Sequence, residues 1–293
     1  MFRSRIDLAG KEVFLTGAAS GIGRSTALRA ADLGARVHLT DLAVERLDAV
    51  ADEVRAAGGT VGLVRAADVS DLAAVTALGA ELTRRYGAMD AVLNIAGISA
   101  WGTVRSLEPS HWRSMVEVNL MGPVHVIQTL VPPMIEGGRG GSLVNVSSAA
   151  GIVALPWHAA YSASKFGLRG VSEVLRHDLR KHGIAVSLVC PGGVATPLTE
   201  TVTIAGVDTS TPRFRRLLGG FRRHAVSPEH AAEAILDGMR RRRYWVYTSP
   251  DIRLAHALQR HFPPGYVLAM RVLNGAANAA LPDVERARRA DLA

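Results

Sequence analysis

Cysteine is almost absent from this 293-residue sequence, since Cys190 is the only one, and an internal disulfide is therefore excluded. The sequence gives no sign of an oxidising compartment. Long hydrophobic runs are also missing, because charge-free stretches such as residues 140–164 are broken by glycine, asparagine, serine and proline. No apolar run precedes the first strand-like segment, which argues against a signal peptide. We therefore expect a cytoplasmic protein without a membrane span.

Lysine is scarce as well, so arginine supplies most of the positive charge behind the formal net charge of +8. Residues 1–209 hold 19 basic and 19 acidic residues, whereas residues 210–293 hold 15 and 7. This excess is typical of a surface that attracts acidic partners such as nucleic acid, anionic lipid or a phosphate-bearing substrate. The arginines stand in scattered pairs without an aromatic stacking platform, which favours a solvated surface and argues against nucleic-acid binding.

Strand-length apolar runs alternate with helix-length amphipathic segments, which predicts βα units around a parallel sheet. We predict a single doubly wound α/β domain in residues 1–250, with a seven-stranded, mainly parallel sheet flanked by helices on both faces. A lid loop is expected at about 196–225 and a C-terminal helical extension at 251–293. The predicted strands are Glu12–Thr16, Arg36–Thr40, Thr60–Ala66, Ala91–Ile95, Ser142–Ser147, Ile184–Val189 and Tyr244–Tyr247. The predicted helices are Ile22–Leu33, Val44–Ala57, Asp71–Tyr86, Ser110–Ile135, Tyr161–Lys181 and Ser227–Arg241.

The first predicted strand runs directly into the turn Thr16-Gly17-Ala18-Ala19-Ser20-Gly21-Ile22-Gly23, and a helix follows. Glycine at position 17 permits a tight turn, while Gly21 and Gly23 let backbone and helix approach a ligand without an intervening Cβ. The helix N-terminus offers free N–H groups and a positive dipole end to a pyrophosphate. This turn therefore predicts a dinucleotide-binding site.

An acidic residue, Asp41, ends the second predicted strand, 18 positions after Gly23. Its carboxylate can accept hydrogen bonds from both ribose hydroxyls of adenosine, and it would repel the 2′-phosphate of NADP. The next residue, Leu42, offers no compensating charge. Arg24 is the one residue beside the turn that argues for NADP, although an arginine there is also typical of a solvated helix. The pattern favours NAD, with NADP as the alternative.

The segment Tyr161-Ser162-Ala163-Ser164-Lys165 opens a predicted helix, so Tyr161 and Lys165 lie on one face, one turn apart. A tyrosine with a pKa of about 10 is too weakly acidic for base work near neutrality. A nearby lysine cation and a positively charged nicotinamide ring would both favour the phenolate. The pair by itself is also typical of an ordinary helix surface.

Together these segments resemble the short-chain dehydrogenase/reductase family, and the resemblance covers about residues 7–248. It implies a Rossmann-like fold, an NAD(P)-dependent oxidoreductase that acts on alcohols and ketones, and a homodimer or homotetramer. The matching elements occur in the family's order: the Gly17/Gly21/Gly23 turn, Asp68-Val69, Asn94-Ile95-Ala96-Gly97, Asn119, Ser147-Ser148, Tyr161 with Lys165, and Pro191-Gly192 with Thr196.

The resemblance implies cofactor contacts along the whole edge of the sheet. Asp68 and Val69 would hold the adenine, and Val194 and Thr196 would anchor the carboxamide. Ile95 stands where the family usually has a second asparagine, a departure at a structural position. The implied cofactor-binding residues are Gly17, Ser20, Gly21, Ile22, Gly23, Asp41, Leu42, Asp68, Val69, Asn94, Ala96, Gly97, Tyr161, Lys165, Pro191, Gly192, Val194 and Thr196. No metal site is predicted.

The resemblance also implies four catalytic residues. Tyr161 would take the hydroxyl proton while hydride passes to the nicotinamide, and Lys165 would bind the nicotinamide ribose and lower the pKa of Tyr161. Ser148 would donate a hydrogen bond to the substrate oxygen, with adjacent Ser147 as the weaker candidate. Asn119, in the long fourth helix, would hold a water that links Lys165 to solvent.

Substrate identity in this fold depends on loops. Large apolar side chains in these loops favour an apolar secondary alcohol or ketone, although some can instead pack against the lid or a neighbouring subunit. His158 lies near Tyr161 in sequence, but a second acid/base role for it is not favoured. The candidate lining residues are Ser99–Trp101, Ala149, Leu155–His158, Gly192–Val194 and Leu198, with Thr199–Phe221 as the expected lid.

Two further questions stay open at this stage. The C-terminal extension can serve as a subunit interface, which we favour, as a substrate cover, or as a peripheral membrane contact, which we favour least. A reductase of acyl-carrier-protein or CoA thioesters would use the same catalytic residues and a basic patch at Arg213–Arg223, but it would normally prefer NADPH, against Asp41. A cofactor-sensing regulator could dispense with Ser148, Tyr161 and Lys165, and all three are present.

Overall fold

Seven strands form one sheet in the order β3-β2-β1-β4-β6-β7-β9, and every pairing in it is parallel. The computed structural model describes residues 5–200, 203–205, 207, 211, 219 and 225–280. The order of strands reverses between β1 and β4, where doubly wound sheets bind ligands. The strands are β1 Glu12–Thr16, β2 Arg36–Asp41, β3 Thr60–Ala66, β4 Ala91–Asn94, β5 Ala100–Trp101, β6 Gly141–Val146, β7 Ile184–Cys190, β8 Thr203–Ile204 and β9 Trp245–Tyr247.

Helices cover both faces of the sheet, which confirms the predicted architecture. Successive strand residues point to opposite faces, so Val13 and Leu15 enter one hydrophobic core and Phe14 enters the other. The helices are α1 Gly21–Asp32, α2 Val44–Ala56, α3 Leu72–Tyr86, α4 Pro109–Val116, α5 Gly122–Glu136, α6 Ala159–Asp178, α7 Pro197–Glu200, α8 Pro228–Arg240, α9 Pro250–His261 and α10 Pro263–Ala280. Among the described helices, none is long and apolar enough to cross a membrane.

The single helix predicted at Ser110–Ile135 is wrong in one respect, because a π-helical turn at Glu117–Met121 separates α4 from α5. The next residues are Gly122 and Pro123, and proline has no N–H to continue the regular i→i−4 pattern. The wider turn places Asn119 at its centre, fully buried. Turns of this kind are frequent at functional sites.

Two short elements near the sheet were not predicted from the sequence. Residues Ala100–Trp101 of β5 pair in parallel with Thr203–Ile204 of β8. The backbone N–H of Ala205 also donates a hydrogen bond to the Trp101 carbonyl at 2.7 Å. Two-residue strands have no periodicity that a sequence pattern can show. They attach the start of the predicted lid to the loop that follows β4.

A buried histidine within β2 links the stability of the fold to pH. His38 is fully buried; its Nδ1 accepts the Leu63 N–H at 3.0 Å, and its Nε2 lies 2.7 Å from the Glu12 carboxylate. Burial lowers the pKa of His38, and Glu12 raises it in part. The folded chain therefore binds fewer protons than the unfolded chain when the pH is below about 6.5.

We expect the free energy of unfolding to be fully present above about pH 6.5 and to fall as the pH drops from there, by up to about 1.4 kcal/mol per pH unit for each such histidine. Burial also lowers the pKa of His158 and of His256, so all three contribute. Urea unfolding of the wild type and of His38→Gln at pH 7.5 and 5.5 isolates the share of His38. An identical pH dependence in the two proteins would contradict the assignment.

Candidate active site

The glycine turn between β1 and α1 has no room for side chains at the three predicted positions. A Cβ at Gly17 would lie 2.8 Å from the Cα of Ala96, and at Gly23 it would lie 1.9 Å from the Gly17 carbonyl oxygen. At Gly21, with φ +51°, it would lie 3.0 Å from Cγ2 of Thr196. The turn therefore brings two other predicted cofactor residues to the start of α1, where a helix leaves its first N–H groups unpaired.

Two further turn residues, Ser20 and Ile22, lie at the start of α1. Ser20 is the N-cap of the helix, and its side chain makes no capping hydrogen bond. Ile22 is partly buried and packs against the first hydrophobic core. The N-terminus of α1 is therefore held by packing, and its N–H groups are not capped by the Ser20 side chain.

Asp41 lies at the carboxyl end of β2 and is tied to the glycine turn. Its Oδ2 accepts the Ala19 N–H at 3.0 Å, and its Oδ1 accepts the Leu42 N–H at 2.7 Å. Leu42 is 67% exposed beside it. Arg24 forms an ion pair with Glu53 of α2, including an Nε–Oε1 hydrogen bond at 3.3 Å. The guanidinium that argued for NADP is therefore already engaged by a carboxylate.

The carboxyl ends of β1, β4 and β6 are joined by buried polar groups. The Thr16 hydroxyl accepts the N–H groups of Ile95 and Ala96, each at 3.0 Å. Asn94 donates from Nδ2 to Oδ1 of Asn145 at 2.9 Å, and its own Oδ1 is buried without a hydrogen-bond partner among the described residues. Asn94 thus stabilises the pairing of β4 with β6.

The loops after β3 and β7 complete this edge of the sheet. The Asp68 carboxylate accepts hydrogen bonds from the N–H and hydroxyl of Ser70, and the Val69 carbonyl lies 3.0 Å from Nδ1 of His125. The Pro191 carbonyl accepts the Ala149 N–H at 2.7 Å. Gly192 donates its N–H to the Thr248 hydroxyl at 3.2 Å, while Val194 and Thr196 are buried.

Asn119 and Lys165 meet behind the end of β4. Asn119 accepts the Ile98 N–H on Oδ1 and donates from Nδ2 to the Ile98 carbonyl, both at 2.9 Å. Lys165 donates from Nζ to the Val146 carbonyl at 3.0 Å. A Cβ at Gly97 would lie 2.9 Å from Oδ1 of Asn119 and 3.4 Å from Nζ of Lys165. Glycine at position 97 therefore lets the two side chains face one small space.

Tyr161 lies between Lys165 and Ser148. The Lys165 Nζ lies 5.8 Å from the centroid of the Tyr161 ring, and the phenol is hydrogen-bonded to Ser148. Burial raises the pKa of the Tyr161 phenol, and the Ser148 hydrogen bond lowers it in part. Burial also lowers the pKa of Lys165 to about 8. Burial of the phenol therefore dominates the pKa of Tyr161, and the lowering expected from Lys165 is not found.

The two adjacent serines have different environments. Ser147 is buried and donates its hydroxyl to the Lys165 carbonyl at 3.0 Å, which fixes β6 against α6. Ser148 is the N-cap of the short 3₁₀ helix Ala149–Gly151, and its Oγ accepts the Ala150 N–H at 3.1 Å. Only the Ser148 hydroxyl is directed to Tyr161, whereas that of Ser147 is used within the core.

Aromatic side chains form one wall beside Tyr161. The His158 ring lies 4.3 Å from the Trp101 ring and 6.1 Å from the Tyr161 ring, between centroids. Burial lowers the pKa of His158, and its Nδ1 is bonded to the Pro156 carbonyl. Leu155 packs against the hydrophobic cluster that contains Tyr161. Most of the expected lid and basic patch, at 201–202, 206, 208–210, 212–218 and 220–224, lies outside the described residues.

Several positioning residues were missed from the sequence. Ser164 accepts a hydrogen bond from Asn119 at 3.3 Å and donates to the Tyr161 carbonyl at 2.8 Å. The Thr16 hydroxyl positions the backbone of Ile95 and Ala96, and the Val146 backbone carbonyl positions Lys165. Ser164 lies in the segment from Tyr161 to Lys165, one turn after Tyr161, and this spacing could have indicated its contact with the Tyr161 backbone. The contact of Val146 is made by its backbone, which no residue type reveals.

Several known proteins have sequences similar to this chain. A family profile described as short chain dehydrogenase matches residues 11–205. The chain is 35% identical to 3-oxoacyl-(acyl-carrier-protein) reductase FabG of Thermotoga maritima, over 78% of this chain and 90% of the reductase. It is 41% identical to 3beta-hydroxysteroid dehydrogenase of Mediterraneibacter gnavus, over 65% of this chain and 68% of that protein.

Solved structures show the same fold. A short chain dehydrogenase/reductase from Burkholderia phymatum in complex with NAD superposes with a TM-score of 0.76 at 29% identity, over 87% of this chain and 96% of that one. The glycine cradle, the acidic residue at the end of β2 and the crossover between β1 and β4 fit a dinucleotide. From the profile, the relatives and the parallel sheet together, the chain belongs to the short-chain dehydrogenase family of Rossmann-fold oxidoreductases.

Proposed function

We propose that this protein is an NAD(H)-dependent oxidoreductase that interconverts an apolar secondary alcohol and its ketone, with Tyr161 as the acid/base. The observation that carries the proposal is the convergence of Ser148, Tyr161, Lys165 and Asn119 beside the glycine turn. These groups come from β6, α6 and the π-helical turn, and their meeting point is the carboxyl edge of the sheet, where doubly wound folds bind ligands.

Ser148 and Tyr161 act together on the substrate oxygen. Each carries one hydroxyl that can donate or accept, so the pair holds an alcohol or a ketone in one orientation. In ketone reduction the Tyr161 phenol donates its proton to the substrate oxygen. In alcohol oxidation the phenol first passes that proton toward Lys165 and solvent, and the phenolate then accepts the hydroxyl proton of the substrate. The buried phenol has a raised pKa, so it is neutral near pH 7 and ready to donate.

Lys165 and Asn119 adjust the proton affinity of Tyr161. With a pKa of about 8, Lys165 is mostly cationic at pH 7, and its charge favours loss of the Tyr161 proton. Asn119 uses its amide on Ile98 and Ser164, so its position is fixed independently of any ligand. The space that the two share beside Gly97 suits a water that passes protons from Lys165 to solvent.

The predicted cofactor residues fit a nicotinamide dinucleotide. Gly17, Gly21 and Gly23 with the N-terminus of α1 would hold the pyrophosphate, Asp41 the adenosine ribose, and Thr196 the carboxamide. When bound, the nicotinamide supplies the acceptor or donor of hydride. The ion pair between Arg24 and Glu53 supports NAD over NADP, because this arginine already has a carboxylate partner.

An apolar substrate is supported by the wall of the site and by one relative. The neutral ring of His158 lies beside Tyr161, Trp101 packs on that ring, and Leu155 packs against the cluster that contains Tyr161. The relative in Mediterraneibacter gnavus is named for a hydroxysteroid, which is a largely apolar secondary alcohol. Fluorescence titration with NADH and NADPH, followed by a panel of secondary alcohols with the preferred cofactor, tests the proposal. Tighter NADPH binding or no turnover with any alcohol would contradict it.

Replacement of Asp41 tests the cofactor preference directly. We expect Asp41→Ala to tighten NADPH binding relative to NADH by about tenfold, because the repulsion between the carboxylate and the 2′-phosphate is removed. Arg24→Ala is the matched control, since its charge is held by Glu53 and the preference should not move. The reverse pattern, with NADPH binding lost in Arg24→Ala, would assign the selection to Arg24.

A second candidate is an NADPH-dependent ketoreductase of acyl-carrier-protein or CoA thioesters. The 35% identity to the reductase of Thermotoga maritima favours it. The same Ser148, Tyr161 and Lys165 would serve this reaction, so the cofactor titration and a thioester such as acetoacetyl-CoA separate the two candidates. Turnover of the thioester with NADPH would promote the second.

A further inference from the structure

The C-terminal helix α10 lies against the loop that leads from Ser148 to Tyr161. The part of this connection that α10 contacts, residues 153–158, is called the 153–158 loop. The backbone N–H of Ala154 donates a hydrogen bond to the Tyr266 hydroxyl at 2.7 Å. At the other end of the loop, Nε1 of Trp157 donates to Oδ1 of Asn278 at 3.1 Å. Two residues three turns apart on α10 therefore hold both ends of one short segment.

The backbone of the loop needs such support. Trp157 has φ 63°, in the left-handed region, and a bulky side chain makes this conformation a costly one. Its carbonyl accepts the Gly102 N–H at 2.8 Å, and its indole N–H donates a hydrogen bond to Oδ1 of Asn278. Strained residues persist where the surroundings hold them from several sides, and here α10 supplies one of those sides.

The position of the loop is transmitted to the catalytic residues. His158 follows Trp157 directly, and its carbonyl accepts the Ser162 N–H at 2.6 Å in the first turn of α6, the turn that carries Tyr161. The His158 ring contacts the Trp101 ring, so a shift of the loop would move the apolar wall beside the phenol.

The C-terminal extension is also anchored at the cofactor side. A Cβ at Gly192 would lie 2.9 Å from Ile252, in the first turn of α9. Tyr266 packs against the second hydrophobic core together with Ile252 and Ala255. Helix α9 thus rests on the domain, while α10 is largely exposed and contacts the domain through Tyr266 and Asn278.

We propose that Tyr266 and Asn278 are positioning residues, through which α10 holds the 153–158 loop and so shapes the substrate pocket beside Tyr161. The proposal rests on the proposed function and extends it: the selectivity for the size of the alcohol depends on a helix that touches neither Ser148 nor Tyr161. Of the three roles considered for the C-terminal extension, the proposal favours the one at the substrate pocket.

Hydrogen exchange on the full-length protein tests the support itself. In Tyr266→Phe and in Asn278→Ala, amide exchange in a peptide covering residues 152–158 should rise by about fivefold each, the equivalent of one neutral hydrogen bond, and by more in the double variant. Asn274→Ala is the matched control, because Asn274 lies one turn earlier on α10 and has no side-chain hydrogen bond among the described residues. Its exchange should equal that of the wild type.

Kinetics with two probes of different size test the consequence. With 1-tetralol the double variant should show a KM raised about fivefold and a kcat within about twofold of the wild type, whereas the smaller cyclohexanol should respond less. The affinity for NADH, measured by fluorescence, should not change. A merely structural role would lower the unfolding midpoint without this dependence on substrate size.

Two results would overturn the proposal. One is unchanged exchange of the 153–158 loop in the double variant, which would show that α10 does not hold it. The other is faster exchange with the same KM for both alcohols, which would show that the hold does not shape the pocket. If the wild type oxidised no alcohol, the proposed function would fail instead, and the exchange rates would still decide whether α10 holds the loop.

Discussion

Tyr161→Phe is expected to lower kcat for alcohol oxidation by about 1,000-fold while the affinity for NADH stays unchanged. The substitution removes one hydroxyl and keeps the ring, which packs against Ala100, Met115 and Ala160. The phenolate that accepts the substrate proton is then missing, and Lys165, which is mostly cationic and donates to the Val146 carbonyl, does not replace it. Ser148 keeps its place, because its Oγ also accepts the Ala150 N–H. Stopped-flow or steady-state measurement of NADH formation checks the loss of kcat, and fluorescence titration checks the affinity for NADH.

The matched control is Tyr86→Phe, which removes a hydroxyl at the end of α3, at the opposite edge of the sheet from the glycine turn. It should retain the turnover of the wild type. If Tyr161→Phe kept more than about a tenth of the activity, the acid/base would have to be another group. His158 would be the next candidate, because its ring lies 6.1 Å from the Tyr161 ring, between centroids.

The architecture followed from the sequence because the strands of a parallel sheet are buried on both faces and read as short apolar runs. All seven strands of the main sheet were located to within two residues at each end. The π-helical turn at Glu117–Met121 was missed, since the hydrophobic period continues across it. The pairing of β5 with β8 joins two distant segments of two residues each, too short for any pattern.

The candidate site was predictable where chemistry depends on residue type and was not where it depends on backbone. Asp41, Tyr161 and Lys165 carry functional groups that a sequence displays. The support of the 153–158 loop by α10 involves the backbone N–H of Ala154 and a strained Trp157, and neither has a signature in the sequence. The raised pKa of Tyr161 was also unexpected, because it follows from burial that only the packed structure reveals.

Gly23→Ala is expected to weaken NADH binding by about 100-fold or more, the equivalent of about 3 kcal/mol. The added Cβ would lie 1.9 Å from the Gly17 carbonyl oxygen and 2.6 Å from its carbon. A backbone atom cannot turn aside as a side chain does, so the turn and the start of α1 must separate. The N–H groups proposed to hold the pyrophosphate move with them, and Thr196, which contacts Gly21, loses its neighbour.

The control for this substitution is Gly275→Ala in α10, where an added Cβ meets no atom within 4 Å. Alanine favours a helix over glycine by about 0.5–1 kcal/mol, so this variant should be slightly more stable and bind NADH as the wild type does. If Gly23→Ala unfolds at the same urea concentration as the wild type but has lost NADH binding, the glycine is required by the cofactor site. Unchanged NADH affinity would show that the pyrophosphate binds elsewhere. A turn that binds the pyrophosphate closely should not tolerate a methyl group at its tightest backbone contact.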